Sequence, residues 1–280
     1  MLQLHKFFMT SRPKHHQKHA VIYPVSFGQR IYSMLVMPTV VLVLMILVLL
    51  IFGQAPKSQF IQDLSINTLM LAVGATFVRL SIAFVMAVIV AVPLAVLATF
   101  NQRTERIFLP LFDIIESVPI LAFFPVFILF FVRFNFLNGA AIFIIFLGML
   151  WNIVFTVVGG LKVIPQDIKS AAKVFGITGL RNFFTVTLPS VVPHLVTGSI
   201  LAFAQGWNII IVAEVLHVYI PGGTTIQDLF GIGSILVQAA STGQNAIFIA
   251  AVVVMVVAIA LINFFVWQKL LHYAERFRFE

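Results

Sequence analysis

Three stretches of the chain carry no charged residue and are long enough to cross a lipid bilayer: Met34–Phe52, Ala140–Leu161 and Ala246–Trp267. A helix needs about 20 apolar residues to span the hydrocarbon core. Inside that core only helices and closed barrels satisfy their backbone groups, so these stretches predict a bundle of membrane-spanning helices. Three further stretches complete the pattern. Leu80–Phe100 continues a helical pattern that begins near Asn67. Ile107–Val132 carries Asp113, Glu116, Pro110, Pro119 and Pro125, and Val191–Val218 carries His194, Glu214 and His217. The chain therefore reads as all-α and polytopic, with about six transmembrane helices. Composition agrees: 61% of the 280 residues are hydrophobic and 9% charged, against about 45–50% and about 25% in soluble domains. That balance excludes a soluble globular domain and a disordered chain. The absence of cysteine excludes disulfides, thiolate metal sites and a cysteine nucleophile.

Charge then orients the spans. Lys6, Arg12, Lys14, Lys18 and Arg30 lie in the N-terminal tail, and Arg103 and Arg106 in the loop after the second span. Lys162, Lys169, Lys173 and Arg181 lie in the long loop after the fourth, and Lys269, Arg276 and Arg278 in the C-terminal tail. Only Lys57 and Arg133 fall on the other side, and Arg79 lies within the second span. The split is 14 against 2, which places the termini and the long loop in the cytoplasm. The net charge of +8 is thus a topology signal and leaves nucleic-acid binding without support. The expected organisation is a basic tail over 1–33, a first span over 34–53, a five-helix core over 65–267 that includes the loop 162–190, and a C-terminal tail over 268–280. Residues 1–33 are too long and polar for a cleavable signal. His15, His16 and His19 read as a metal-binding cluster or, more plainly, as part of a basic tail lying against anionic headgroups. No internal repeat is visible.

The long loop is the most informative segment: IPQDIKSAAKVFGITGLRNFFTVTLP over 164–189. Pro165 suits a first helical position, Asp167 a first turn, and Gly176 the residue just past a helix end. Ile168, Ala171, Ala172 and Phe175 recur at helical spacing and form one apolar face, with Lys169 and Lys173 on another. The segment predicts an amphipathic helix of two to three turns. Small Ala171 and Ala172 suit close approach of a partner, with Phe175 as an anchor; an interfacial helix resting on lipid fits the pattern equally.

Ser170-Ala171-Ala172, three residues, Gly176, nine residues, then Val186-Thr187-Leu188-Pro189 resembles the "EAA" loop of binding-protein-dependent ABC transporter permeases. Only the leading Glu is replaced, by Ser170. Pro119 to Pro125 (PILAFFP), Thr68-Leu69 with Arg79, residues 204–216 (AQGWNIIIVAEVL) and Gly231-Ile232-Gly233 resemble the nitrate/sulfonate/taurine/bicarbonate branch, so the likeness covers roughly 65 to 245. The chain departs from that branch at Phe131-Val132-Arg133, where Phe-Gly is usual, at Gly206, where a basic residue often precedes the Trp, and in a long loop over 219–232.

The resemblance implies a type I ABC importer permease of the bacterial inner membrane. Such a subunit forms the pathway for a small solute, here a small anion, sulfonate or related compound, delivered by a periplasmic or lipid-anchored binding protein. It binds no cofactor and is not itself an enzyme; ATP and Mg belong to a separate ATPase, and the chain has no phosphate-binding Gly-rich loop. ATPase coupling falls to Ser170, Ala171, Ala172, Phe175, Gly176, Leu188 and Pro189. A second permease copy or a paralogue completes the pathway, and membrane lipid surrounds it.

Charges at membrane depth are costly and are usually paired or functional. Asp113 and Glu116 share a helix face, and Arg79 is expected to pair with one of them, locking the second span to the third, or to meet substrate. Pro119 and Pro125 interrupt the third span, as a kink or as pathway lining. Asn208 reads as an interhelical hydrogen bond or a pathway group, and Glu214 as a group near the outer end facing water or the binding protein. Trp151 and Asn152 are expected at a subunit interface, and the 30 Phe against lipid. Two rivals share these features. A secondary transporter driven by an ion gradient leaves the 170–189 pattern unexplained. An intramembrane protease needs a glycine-flanked serine, and Ser199 has no following glycine.

Overall fold

The structure, a computed structural model, describes residues 66–277 apart from Pro221 and Thr224. The tail over 1–33 and the span Met34–Phe52 lie outside the described residues. Among the described residues the chain is helical, without strands. Helix α1 runs Ile66–Ala98, α2 Gln102–Ser117, α3 Phe124–Val132, α4 Leu137–Lys162, α5 Gln166–Val174, α6 Gly179–Glu214, α7 Ile232–Ser241 and α8 Asn245–Phe277. Four of these, α1, α4, α6 and α8, are long and apolar enough to cross a membrane singly. The span expected over Ile107–Val132 is a broken one: α2 and the segment Ile120–Val132 meet at 70°.

Proline chemistry sets that break. Val118 precedes Pro119 and is extended, as steric conflict with a proline ring requires. A single 3-10 turn, Ile120–Phe123, then leads into α3. Pro125 does not interrupt a helix; it stands in the first turn of α3, where its missing N–H is an orphan anyway. Asn101 starts α2 with a reciprocal capping box, accepting from the backbone of Arg103 and Thr104 at 2.9 Å while Asn101 N donates to Thr104 Oγ1 at 3.1 Å.

Helix α4 is the central strut, packed most extensively on α6 and α1. On α1, Ala83, Ala87, Ala91 and Ala95 recur every four residues and are fully buried. Such small-residue rows let helix backbones approach where lipid gives no hydrophobic drive to associate. On the α4–α6 seam glycines do the same. A Cβ on Gly198 would lie 2.9 Å from Thr156 Cβ and 3.2 Å from Asn152 O, and one on Gly160 would lie 2.8 Å from His194 Cβ. Gly206 faces the Met149 and Leu80 side chains, within 2.8 Å of a Cβ placed there. The departure from the family's basic residue before Trp207 thus sits in a seam with no room for a long side chain.

Aromatic contacts attach the outer helices. Trp267 lies edge-on to Phe84 and Phe203, with ring centroids 5.9 and 5.5 Å away, holding α8 against α1 and α6. Trp151 packs on Phe112 at 5.5 Å and so fastens α2 to α4. Buried within the chain, Trp151 is not the subunit-interface residue expected from sequence; half-buried Asn152 donates to Gly148 O on its own helix. Many Phe, among them Phe123, Phe130 and Phe265, are exposed on the bundle surface.

The stretch between α6 and α8, where the sequence suggests only a loop, contains α7, ten residues too short to span a bilayer but packed on α8, α6 and α1. If seam packing sets the fold, Gly198→Ala lowers the melting temperature of the detergent-purified chain, costing about 1–3 kcal/mol of overpacking. Gly159→Ala, with nothing within 4 Å of its Cβ, leaves it unchanged or raises it slightly. Equal melting of the two variants would contradict this account.

Candidate functional site

Two sites stand at opposite ends of the bundle. At one end, α6 finishes at Glu214 and α7 begins after Gly231. Arg79 reaches this point from α1, with α1 continuing about 20 Å beyond it to Ile66. Its Nη1 donates to Glu214 Oε1 at 2.7 Å, its Nε to Asn138 Oδ1 at 2.8 Å, and its Nη2 to Phe230 O at 3.0 Å. Thr76 Oγ1 donates to the same Glu214 oxygen at 2.7 Å and accepts from Ile232 N at 3.0 Å. Glu214 Oε2 accepts from Gly233 N at 2.8 Å. The carboxylate therefore sits on the N-terminal turn of α7, where backbone N–H groups favour negative charge. Arg79 is 8% exposed and Glu214 fully buried.

The expected partners of Arg79 are corrected by this geometry. Arg79 is ion-paired to Glu214, not to Asp113 or Glu116. It lies 19 residues before the end of α1, about 29 Å along the axis, whereas Asp113 lies only about 17 Å into α2 from the connecting turn. Both Asp113 and Glu116 are exposed on α2, with no cation in ion-pair reach among the described residues. Glu214 faces neither water nor a partner; it is interior to the chain. Asn208 is exposed and donates to Ala204 O on its own helix at 3.1 Å, so it makes no interhelical bond. Pro119 is exposed at the α2–α3 break and Pro125 half-buried.

Sequence reasoning missed Thr76, Asn138, Gly231 and Gly233 as members of this cluster. The Gly231-Ile232-Gly233 run was the available signal. A Cβ on Gly231 would stand 2.2 Å from Glu214 Oε1, and one on Gly233 2.9 Å from Oε2, so glycine is needed for the carboxylate to reach the helix end. Beside the cluster, His217 Nδ1 meets Asp228 Oδ2 at 2.8 Å and ties the two halves of the connecting loop.

At the other end, α5 emerges from the loop after α4. Pro165 is its cap residue, one place before the helix, and Asp167 stands in the first turn. Gly176 takes φ +65°. Ile177 N donates to Ala172 O at 2.8 Å and Gly176 N to Lys173 O at 3.0 Å. These are the paired bonds of a Schellman stop, and they confirm the helix and its end. The single apolar face over Ile168, Ala171, Ala172 and Phe175 divides in two. Ile168 and Ala172 turn inward, Ala172 being 6% exposed, while Ala171, Val174 and Phe175 turn outward, the last two 84% and 77% exposed. Ser170 and Gly176 are exposed as well. Leu188 and Pro189 lie instead on the bundle, half-buried after a π-helical turn over Phe183–Thr187. A wider turn of that kind accommodates a proline that cannot donate.

The family model for the inner membrane component of binding-protein-dependent transport systems matches residues 87–271. The nitrate import permease of Leptolyngbya laminosa is 30% identical over 181 residues, 65% of this chain and 60% of that one. The bicarbonate transport system permease of Synechococcus elongatus is 27% identical over 70% of this chain and 66% of its own. The taurine transport system permease of Escherichia coli is 24% identical over 53% of each. The chain thus spans under two thirds of the length of the nitrate and bicarbonate permeases. An inward-facing structure of the MetNI methionine ABC transporter superposes with a TM-score of 0.62 over 75% of this chain and 97% of that one, at 20% identity; the two share a fold.

Removing one partner of a buried ion pair leaves an uncompensated charge and costs about 3–5 kcal/mol. Arg79→Gln and Glu214→Gln are each expected to lower melting strongly. The double variant should be less destabilised than the sum, because neither charge is then stranded. Simple additivity in that cycle would show that the pair is not coupled.

Proposed function

Because the chain belongs to the family of binding-protein-dependent transport system inner membrane components, we propose that it is the permease subunit of an ATP-driven importer. The family is one of transport permeases, not of enzymes. In this reading a binding protein delivers a small solute to the outer face. A separate ATPase, which holds ATP and Mg, docks on the cytoplasmic face, and a second permease copy or a paralogue completes the pathway. The nitrate, bicarbonate and taurine permeases among its relatives support a small anion, sulfonate or related compound as the solute. The basic imbalance between the loops supports cytoplasmic termini.

The observation that carries the proposal is α5: a short helix with a Schellman stop at one end of the bundle, presenting Ala171, Val174 and Phe175 outward. Exposed apolar side chains on a short, well-stopped helix suit insertion into a groove of a soluble partner. Movement of that helix reaches the spans through Leu188 and Pro189, where α6 leaves its π-helical turn. Asp113, Glu116 and Asn208, exposed on α2 and α6, are the described polar groups at membrane depth that suit a pathway wall, since lipid exposure of carboxylates is costly.

Two tests follow. With the ATPase and binding protein in proteoliposomes, labelled nitrate, bicarbonate or taurine should enter only with ATP inside the hydrolytic compartment; uptake driven by an ion gradient without ATP would reject the importer reading. Gly176→Asn keeps a residue that tolerates the left-handed region and should retain ATPase co-purification. Gly176→Val should lose at least tenfold of it with membrane insertion intact. Gly176→Asp tests added charge at the same place, and normal ATPase capture by both the Val and Asp variants would reject α5 as the docking element.

A further inference from the structure

Between α5 and the bundle lies a cleft of about 590 Å³, walled by the end of α1, the start of α2, the end of α4 and the start of α6. Lys162, Lys169 and Lys173 line it. One carboxylate, Glu105, lines it too, and it is held by Lys162 at 2.7 Å. Lys169 and Lys173 have no acidic partner among the described residues. Among the described residues the cleft therefore carries two uncompensated positive charges, with the Gln102 and Asn182 amides beside them.

We propose that this cleft holds the phosphate headgroup of an anionic phospholipid. Its position favours lipid over a soluble anion. The cleft sits where the apolar run of α1 ends at Ala98 and that of α4 at Lys162, the level at which phosphates of a bilayer stand. Its remaining wall is apolar, with Val96, Leu161 and Ile164. Phe100, 79% exposed, lines it just past the end of α1, and exposed Leu97 lies on the last turn of that helix; both offer contact for acyl chains. Basic pockets between helices on the cytoplasmic side are recognised headgroup sites, and the proposal rests on the permease reading for that orientation. Because α5 forms one wall, a bound headgroup would hold this helix at a set distance from the bundle. Lipid composition would then tune ATPase coupling without touching the docking face.

The test uses the permease–ATPase complex in phosphatidylcholine nanodiscs into which phosphatidylglycerol is titrated, with bound lipid read by native mass spectrometry. Loss of a lysine near the headgroups should weaken binding roughly fivefold each, so Lys169→Gln/Lys173→Gln should lose about twenty-five-fold. Those residues lie on α5, so Asn182→Asp serves as the second variant. It places a near-isosteric carboxylate in the cleft from the first turn of α6, where acids favour the helix. It should expel phosphatidylglycerol while ATPase co-purification is unchanged. Wild-type retention of the lipid in both variants would overturn the proposal. So would Asn182→Asp releasing the ATPase while keeping the lipid, which would make the cleft part of the docking interface. Binding of inorganic phosphate in pure phosphatidylcholine discs, with the same sensitivity to both variants, would assign it to a soluble anion instead. If the wild-type chain captures no ATPase, the importer reading fails, and the lipid measurement on the chain alone still decides this one.

Discussion

The ion pair between Arg79 and Glu214 is the constraint around which one end of the molecule is arranged. An ionised pair away from water is stable only when every remaining donor and acceptor is matched. Here Thr76, Asn138, the carbonyl of Phe230 and the N–H of Gly233 supply the matches, and no buried side-chain nitrogen or oxygen among the described residues lacks a partner. The cluster gathers α1, α4, α6 and α7 at one point. It also stabilises backbone that is not helical. Irregular backbone at membrane depth is tolerated only where its polar groups find partners. Leu229 N bonds to Glu214 O at 2.9 Å and Phe230 O to Arg79. The connecting loop after Glu214 is therefore held by the same residues that form the ion pair.

The opposite end is built on other terms. There α5 turns Ile168 and Ala172 inward, a cleft lies between it and the bundle, and the ion pair of Glu105 with Lys162 is partly exposed. Exposed pairs contribute about 0–1 kcal/mol. Few buried contacts and a short helix mark a region of low local stability. The molecule thus combines one end that resists rearrangement with one of lower local stability. Under the proposed permease reading, motion applied at α5 would travel along α4 and α6 as rigid struts, because their close-packed glycine seam leaves little slack to absorb it.

Much of this was legible in sequence, and the reasons for the remainder are specific. Uncharged runs of bilayer length located α4 and α8, and the helical pattern from Asn67 located α1; the stretch Val191–Val218 located the later part of α6, whose first residues, from Gly179, read in sequence as part of the long loop. Asp167 and Gly176 marked the ends of α5, because caps and stops are local chemistry. The partner of Arg79 was not legible: Glu214 lies 135 residues away, and nothing local distinguishes it from Asp113 or Glu116. Helix α7 was hidden in a loop because ten residues lie below the length at which a period declares itself against Gly-rich flanks. Pro125 read as a breaker because the sequence does not show that a helix begins one residue before it.

The division of α5 has a simpler cause than error in the pattern. Adjacent residues on a helix point about 100° apart, so Ala171 and Ala172 cannot serve one surface equally. Ala172 turns to the bundle and lines the inner cleft with Ile177 and Leu161. Ala171 turns outward beside Val174 and Phe175, on the face proposed for docking. Two small residues in succession keep both the inward and the outward face of this short helix low. The pair therefore carries more information than either alanine alone: under the proposed permease reading it suits a helix that lies between two surfaces, the bundle of this chain and a docked partner.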